Sequence, residues 1–377
     1  MNLLPFKVLL VFGTRPEAIK MSPLAKLLAQ HPSLEVRVCV TGQHREMLDQ
    51  VLGLFNITPD YDLNLMKSQQ SLEWLTSAII EGTSHVINDF QPQLVLVHGD
   101  TTTSFAAALA AFYKKVDVGH VEAGLRTGDL QSPWPEEANR KLTATLAKHH
   151  FAPTQTAANN LLAEGHQPDN VHITGNTVID ALLQTVASNH ENGFQPTALT
   201  ELLNSVSYQK VILVTGHRRE NFGTGFENIC LALQKIATTY PNVAIIYPVH
   251  LNPQVQAPVN QYLGNIDNVH LIAPQDYPSF VYLMDRADII LTDSGGVQEE
   301  APALHKPVLV LRDKTERIEA LEAGTVNLVG TDTDRIVNAV TTLLEQQEQN
   351  TKPSNPYGDG QACQRIQTQI LRHYQLI

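Results

Sequence analysis

Acidic residues close two apolar runs in the first half of the sequence and open a third segment soon after. Asp100 follows Val97-His98-Gly99, Glu122 follows Gly119-His120-Val121, and Glu136 and Glu137 follow Ser132-Pro133-Trp134-Pro135. Carboxyl groups gathered at strand ends are suited to moving protons, and several of them can address both faces of one carbon. Pro135 at a helix start would hold Glu136 or Glu137 at the positive end of the helix dipole. Each acid taken singly also fits a capping or salt-bridge role. A metal centre is the competing chemistry, because His98, Asp100, His120 and Glu122 make two His–acid pairs. The chain has neither His-x-x-x-His nor Cys-x-x-Cys spacing, so no metal is expected.

A second group of residues suits an anion. In Ile290-Leu-Thr-Asp-Ser-Gly-Gly-Val-Gln-Glu-Glu300 a buried strand ends at Asp293, and Ser294-Gly295-Gly296 turns into a helix. Unpaired amides at a helix start, a hydroxyl, and glycines without a Cβ make a phosphate cradle. Glu299 and Glu300 then fall in the first helical turn, where one of them could accept from both ribose hydroxyls. An ordinary strand–turn–helix with acids at its start is the alternative. Two arginine-bearing turns, Gly13-Thr14-Arg15-Pro16-Glu17 and Gly216-His217-Arg218-Arg219-Glu220, also follow apolar runs. Arg15, Lys20 and His217 would suit a diphosphate whose charge grows as it leaves. Solvated helix-start residues paired with Glu17 and Glu220 are the alternative. Neither turn matches Gly-x-Gly-x-x-Gly and no Walker lysine loop occurs, so a bound NAD is not expected.

The elements that must position these residues alternate along the chain. Val8 to Phe12, Val36 to Thr41 and Leu94 to His98 read as strands, with helices over Pro16 to Gln30, His44 to Phe55 and Thr102 to Lys114. Continuous apolar strands between helical crossovers indicate a parallel sheet buried on both faces, hence an α/β, doubly wound architecture. The pattern restarts at Lys210-Val-Ile-Leu-Val-Thr-Gly-His-Arg-Arg-Glu220, which shares Lys, Val, Leu, Val, Gly, Arg and Glu with Lys7 to Glu17. Two Rossmann-like domains facing a cleft follow from this, unless two strands ending in a Gly turn match by coincidence. The expected division is residues 1–174, residues 175–360, and a last helix over 361–377 packing back on the first domain. A polar stretch over 188–209 places the hinge between Thr174 and that stretch.

Composition bounds the ligand. The 377 residues are 43% hydrophobic and 17% charged, an ordinary globular balance. Net charge is −12 without any block of five basic residues, which argues against nucleic-acid and anionic-membrane surfaces. An anionic ligand must therefore be held by a few placed cations and backbone amides. Cys39, Cys230 and Cys363 show no disulfide or metal spacing, as in a reducing compartment. No apolar run approaches the roughly 18 residues of a membrane span. The opening MNLLPFKVLLVFG lacks a basic leader and is interrupted by Lys7, so it reads as a buried strand of a cytoplasmic protein.

Taken together and in order, these segments resemble the non-hydrolysing UDP-N-acetylglucosamine 2-epimerases. The likeness runs from Val8 to about Arg365 through GTRPEAIKMSPL, TGQHREMLDQVL, HGDTTT, HVEAGLRTGD, SPWPEEANR, GHRRENFG, YPVHLNP, LTDSGGVQEEAP and NPYGDGQA. It implies a fold similar to the two-domain GT-B glycosyltransferases, with C2 inversion of a UDP-linked N-acetylhexosamine and no cofactor. It makes Asp100, Glu122 and Glu136 the acid/base candidates and places His217, Arg15 and nearby Lys20 toward the diphosphate. Ser294, Gly295 and Gly296 would take the phosphates, Glu300 the ribose, and Gln275 and Phe280 the uracil. Arg317 lies in a further nucleotide-side motif, where Ile318 stands in place of an expected proline. Gln43, Arg218 and His250 lie in motifs that in some relatives form a second, activating UDP-GlcNAc site. A homodimer is likewise implied. Rival readings are a glycosyltransferase of the same fold, an epimerase of a diacetamido-uronate, a hydrolysing epimerase and a non-catalytic nucleotide-sugar sensor.

Overall fold

The computed structural model describes residues 4–42, 45–67, 70–205, 208–345 and 353–377. The chain divides into two compact units, Met1–Ala181 with Tyr357–Ile377, and Leu182–Pro356. In the first unit β1 (Phe6–Phe12), β2 (Leu34–Val40), β3 (Tyr61–Asp62), β4 (Leu94–His98), β5 (Asp117–Val121), β6 (His149–Ala152) and β7 (Val171–Ile173) form one sheet. Its order is β3-β2-β1-β4-β5-β6-β7, and every pairing is parallel. Because side chains alternate along a strand, β1 feeds two cores at once. Val8, Leu10 and Phe12 pack with the helices Arg15–Ala29, Arg45–Leu54 and Ala362–His373. Leu9 and Val11 pack on the other face with Leu72–Phe90 and Thr102–Tyr113. The order reverses at β1, which lies between β2 and β4. Strand ends diverge at such a point, and ligands collect there.

The second unit repeats the plan. β8 (Lys210–Thr215), β9 (Val243–Pro248), β10 (Val269–Ile272), β11 (Ile289–Thr292), β12 (Val308–Val310) and β13 (Val326–Leu328) are parallel in the order β10-β9-β8-β11-β12-β13. β8 takes the place of β1, so the sequence echo between Lys7–Glu17 and Lys210–Glu220 marks one structural position used twice. No described helix is long and apolar enough to cross a membrane.

Some expected boundaries shift. β4 stops at His98, and Gly99 with φ +64° turns the chain so that Asp100 sits beyond the strand. The helix after β11 spans only Gly295–Glu300, and residues Ala301–Leu304 tighten into a 3₁₀ turn. Glu299 and Glu300 therefore close this short helix instead of occupying its first turn, because Pro302 stops the α-helical ladder.

The helix Ala362–His373 completes the first unit. Cys363, Ile366, Ile370 and Leu371 are buried with Met21, Leu24 and Leu28 of Arg15–Ala29. Its first amides, those of Ala362 and Cys363, donate to the two oxygens of buried Asp180 at 3.1 and 2.9 Å. Deleting a buried aliphatic side chain typically costs about 2–5 kcal/mol. Ile366→Ala should lower the unfolding free energy measured in urea by that amount, and an unchanged value would mean that the helix adds nothing to the core.

Candidate active site

The site in the first unit is built on a buried carboxylate. Glu17 accepts from the amides of Gly13 and Thr14 at 3.1 and 2.8 Å and from the Thr14 hydroxyl at 2.8 Å. On its other oxygen it accepts from Thr101 Oγ1 at 2.7 Å and Ser104 Oγ at 3.2 Å. One side chain thus fixes both the turn after β1, which carries Arg15, and the turn after β4, which carries Asp100. Burial pushes the Glu17 carboxyl up, and the donors from Thr101, Thr14 and Gly13 oppose that push. Gly13 is required at this turn, since a Cβ there would stand 1.9 Å from Thr41 Oγ1.

Glu122 lies just past β5 with φ +60°, a left-handed backbone that few non-glycine residues adopt. Its Oε2 is ion-paired with Lys20, accepts from Asn176 Nδ2 at 2.8 Å, and lies 3.7 Å from His98 Nε2. Burial pushes this carboxyl up, but Lys20 and the hydrogen bond from Asn176 overcome it and hold the group well below the usual carboxylate range. His98 is 3% exposed, and burial lowers its imidazole to about 4. Next to it, fully buried His120 holds Gly99 O at 2.7 Å and is likewise pushed down to about 4 by burial.

The remaining acids sit on neighbouring turns. Asp100 pairs with Arg140 at 2.6 Å, and its carbonyl accepts from Asn139 Nδ2 at 2.9 Å. Arg140 also binds fully buried Glu137 at 3.0 Å, and Glu137 accepts from the Gly128 amide at 3.2 Å. Of the two adjacent glutamates, Glu137 therefore braces the loop. Glu136, the first residue of the helix Glu136–Leu146, keeps a buried Oε2 without a hydrogen-bond partner among the described residues. Arg15 is half-exposed and forms no ion pair with a described residue.

The second unit uses the same device with a different acid. Asp293, fully buried just after β11, accepts from the amides of His217 and Arg218 at 2.9 and 2.8 Å. Its other oxygen lies 3.4 Å from His217 Nδ1. The His217 ring stacks on that of His250 with centroids 5.6 Å apart. Burial lowers the His217 pKa, Asp293 opposes this, and Arg218 and His250 add to it. Arg218 donates to Asp293 O at 3.3 Å and lies 3.7 Å from Glu316. Glu300, largely buried, accepts from Tyr277 at 3.1 Å, while Glu299 pairs with Arg317 at 2.5 Å. A Cβ on Gly296 would meet nothing closer than 3.8 Å, so the backbone there lies open. Gln275 Nε2 donates to Ala273 O at 2.6 Å, and half-buried Phe280 follows on the helix Tyr277–Arg286.

Comparisons with known proteins bear on this arrangement. The family model of UDP-N-acetylglucosamine 2-epimerase matches residues 26–371. UDP-N-acetylglucosamine 2-epimerase of Escherichia coli (strain K12) is 59% identical over 366 residues, covering 96% of this chain and 97% of that protein. The chain belongs to the UDP-N-acetylglucosamine 2-epimerase family. It is similar to the solved UDP-GlcNAc 2-epimerase from Neisseria meningitidis bound to UDP-GlcNAc, with TM-score 0.87, 53% identity, and 97% of this chain and 100% of that one covered. The Methanocaldococcus jannaschii UDP-GlcNAc 2-epimerase in complex with UDP-GlcNAc and UDP is similar at TM-score 0.77 and 34% identity, covering 98% and 100%.

As a member of an epimerase family this chain is an enzyme. Asp100, Glu122, Lys20 and Glu136 belong to the first unit, with Lys20 on Glu122; Arg15 stands on the turn that Glu17 fixes. Ser294, Gly295, Gly296, Glu300, Gln275, Phe280 and Arg317 lie in the second unit. His217 and His250, assigned to separate sites in the sequence reading, are ring neighbours. Gln43 lies outside the described residues. Ile318 is the first residue of the helix Ile318–Glu322, the position that proline favours, and Arg317 is held just before it by Thr315 Oγ1 at 3.1 Å. Glu17, Asp293, Arg140 and Asn176 were not singled out as site residues in the sequence. Only Glu17 had a local signal there, the Thr-x-x-Glu capping box of Thr14.

The buried imidazoles make the epimerase acid-sensitive. His98 and His120 titrate near 6.5 when unfolded and near 4 when folded, so over that window the unfolded chain binds more protons. Stability is present above about 6.5 and is lost as pH falls toward about 4. His120→Gln should flatten the slope of unfolding free energy against pH in that window by about one proton. An unchanged slope would mean that His120 is not held neutral.

Proposed function

We propose that this enzyme interconverts UDP-GlcNAc and UDP-ManNAc by eliminating and re-adding UDP. The observation that carries the reading is the gathering of Asp100, Glu122 and Glu136 on neighbouring turns, in a chain 53% identical to an epimerase solved with UDP-GlcNAc. The C2 proton of a pyranose is not next to a carbonyl, so direct removal would be very slow. Breaking the C1–O bond, with its electron pair leaving on UDP, builds oxocarbenium character and makes that proton acidic. A carboxylate takes the proton, a C1=C2 double bond forms, and a glycal remains. Protonation on the opposite face of C2 and return of UDP to C1 give the epimer.

Donor and acceptor must reach both faces of one carbon, which gives work to more than one acid. Glu122, held ionised beside Lys20, enters as proton acceptor or as the stabiliser of positive charge, and not as the donor of the resting enzyme. The unpartnered oxygen of Glu136 and the Arg140-braced Asp100 supply the other roles. Arg15 and His217 would meet the negative charge growing on the leaving diphosphate. Ser294, Gly295 and Gly296 are assigned to the phosphates, Glu300 to the ribose, Gln275 and Phe280 to the uracil and Arg317 to the nucleotide side. Arg218 and His250, with Gln43, are assigned to a second, activating UDP-GlcNAc site. We also assign the enzyme to a cytoplasmic homodimer that supplies surface polysaccharide synthesis, without metal or NAD.

Proton NMR of UDP-GlcNAc with the enzyme in D₂O should reveal UDP-ManNAc, with deuterium at C2 of both epimers. No product and no exchange would overturn the proposed reaction. Asp100→Asn, Glu122→Gln and Glu136→Gln should each lower turnover by about 10²-fold or more while UDP still binds. Near-normal turnover in all three would remove the carboxylates from the mechanism. Arg15→Ala should weaken UDP binding, and unchanged affinity would take Arg15 out of the phosphate site.

A further inference from the structure

Glu122 is held by two groups of different character. Lys20 and Asn176 both bind Oε2, and among the described residues Oε1 takes no hydrogen bond. Oε1 lies toward Gly99, where a Cβ would stand 3.4 Å from it. It is therefore the oxygen left for a substrate. An ammonium on a flexible stem sets the charge of its partner but not the rotation of the carboxylate plane. A fixed amide does set it.

Asn176 is such an amide. It is 3% exposed and stands directly before the helix Thr177–Glu191. Its Oδ1 accepts from the Val178 amide at 3.1 Å, so Nδ2 is the end that faces Glu122. Its own backbone N–H donates to Tyr357 O at 2.7 Å. Tyr357 is where the chain returns to the first unit, and Asn176 lies shortly before it leaves at Ala181. The two segments run backbone against backbone. Gly175 has φ +87°, and a Cβ on it would stand 3.3 Å from Tyr357 O and 3.4 Å from Gly358 Cα. Arg365, held by Asp359 at 2.7 and 2.8 Å, donates to Thr174 O at 3.1 Å. Asp180 pins the amides of Ala362 and Cys363.

We propose that Asn176 is a positioning residue for the reaction: its side-chain amide orients the Glu122 carboxylate, and its backbone ties that carboxylate to the paired segments through which the chain leaves and re-enters the first unit. The proposal rests on the epimerase reading for what Glu122 does. An interaction that orients a reacting group is expressed in kcat more than in KM.

The deciding comparison is between Asn176→Ala and Asn176→Asp in the full chain. Aspartate keeps the Oδ1 acceptor for Val178, and with it the helix cap, but replaces the donor to Glu122 with a second carboxylate oxygen. If Asn176 only capped the helix, Asp would restore what Ala loses. As a positioning residue it predicts the opposite. Both variants should lose about tenfold or more in kcat, with Asp no better than Ala and with KM and UDP affinity within about threefold of the parent. Wild-type kcat in Asn176→Asp would overturn the proposal, as would a loss confined to KM. A readout free of turnover is the ¹³C resonance of the Glu122 carboxyl, assigned by its disappearance in Glu122→Gln. It should move in both Asn176 variants at neutral pH, and an unmoved resonance would overturn the proposal. If the parent enzyme proved inactive on UDP-GlcNAc, the assigned substrate would fail while this resonance still decided whether Asn176 holds Glu122.

Discussion

The half of the molecule that carries Asp100, Glu122 and Glu136 depends on a carboxylate that takes no part in the proposed chemistry. Glu17 sits without solvent contact between the first turns of two adjacent strands and accepts every donor those turns present to it: two amides and three hydroxyls. A buried carboxylate with fewer partners would be costly, and buried turn amides without an acceptor would be costly too. Each side makes the other tolerable. The turn bearing Arg15 and the turn bearing Asp100 are thereby held in one frame, and Glu122 on the next strand inherits that frame through Lys20, which rides on the same helix as Glu17.

The second unit meets the same constraint with a different residue. After β8 the amides of His217 and Arg218 also need a buried acceptor, but Glu220, the echo of Glu17, turns outward to pair with Arg312 at 2.5 Å. The acceptor comes instead from β11, as Asp293. Two sheets of one topology have thus kept the requirement while moving the group that meets it. Where the acid comes from decides what lies over it. Glu17 stands beneath an arginine turn, whereas Asp293 stands beside the Nδ1 of an imidazole and so bears on which nitrogen of His217 faces outward.

These pairings explain why some of the structure was legible in the sequence and some was not. Apolar runs such as Val8 to Phe12 and Leu94 to His98 declare buried parallel strands, because both faces of such strands must be apolar and the period is short. The repeated Gly-turn motif declared the second sheet for the same reason. Boundaries at turns were less legible: the end of the Gly295–Glu300 helix depends on how Pro302 closes the chain. Asp100, Glu122 and the Ser294 turn stood out because reactive types at strand ends are visible as local strings. Asn176 could not stand out, since its partners Glu122 and Tyr357 are 54 residues before it and far after it in the chain. Contacts of that range leave no local pattern. For the same reason the sequence offered Lys20 as one of the cations suited to a diphosphate without showing its ion pair with Glu122, 102 residues away.

The way the first unit closes has a consequence for how the protein is made. Its sheet and the turns bearing Arg15, Asp100 and Glu122 emerge from the ribosome before the second unit, yet the helix Ala362–His373, which packs with Val8, Leu10 and Phe12, emerges only after it. Until then a strip of central-strand core lacks its cover. The segment that will give Asn176 its Tyr357 partner is also still missing. The turn Ser294-Gly295-Gly296 can therefore form before the unit that bears Asp100, Glu122 and Glu136 is finished. A released chain truncated near residue 356 would hold a complete second unit and an unfinished first one. Closure of the first unit is thereby tied to synthesis of the helix Ala362–His373.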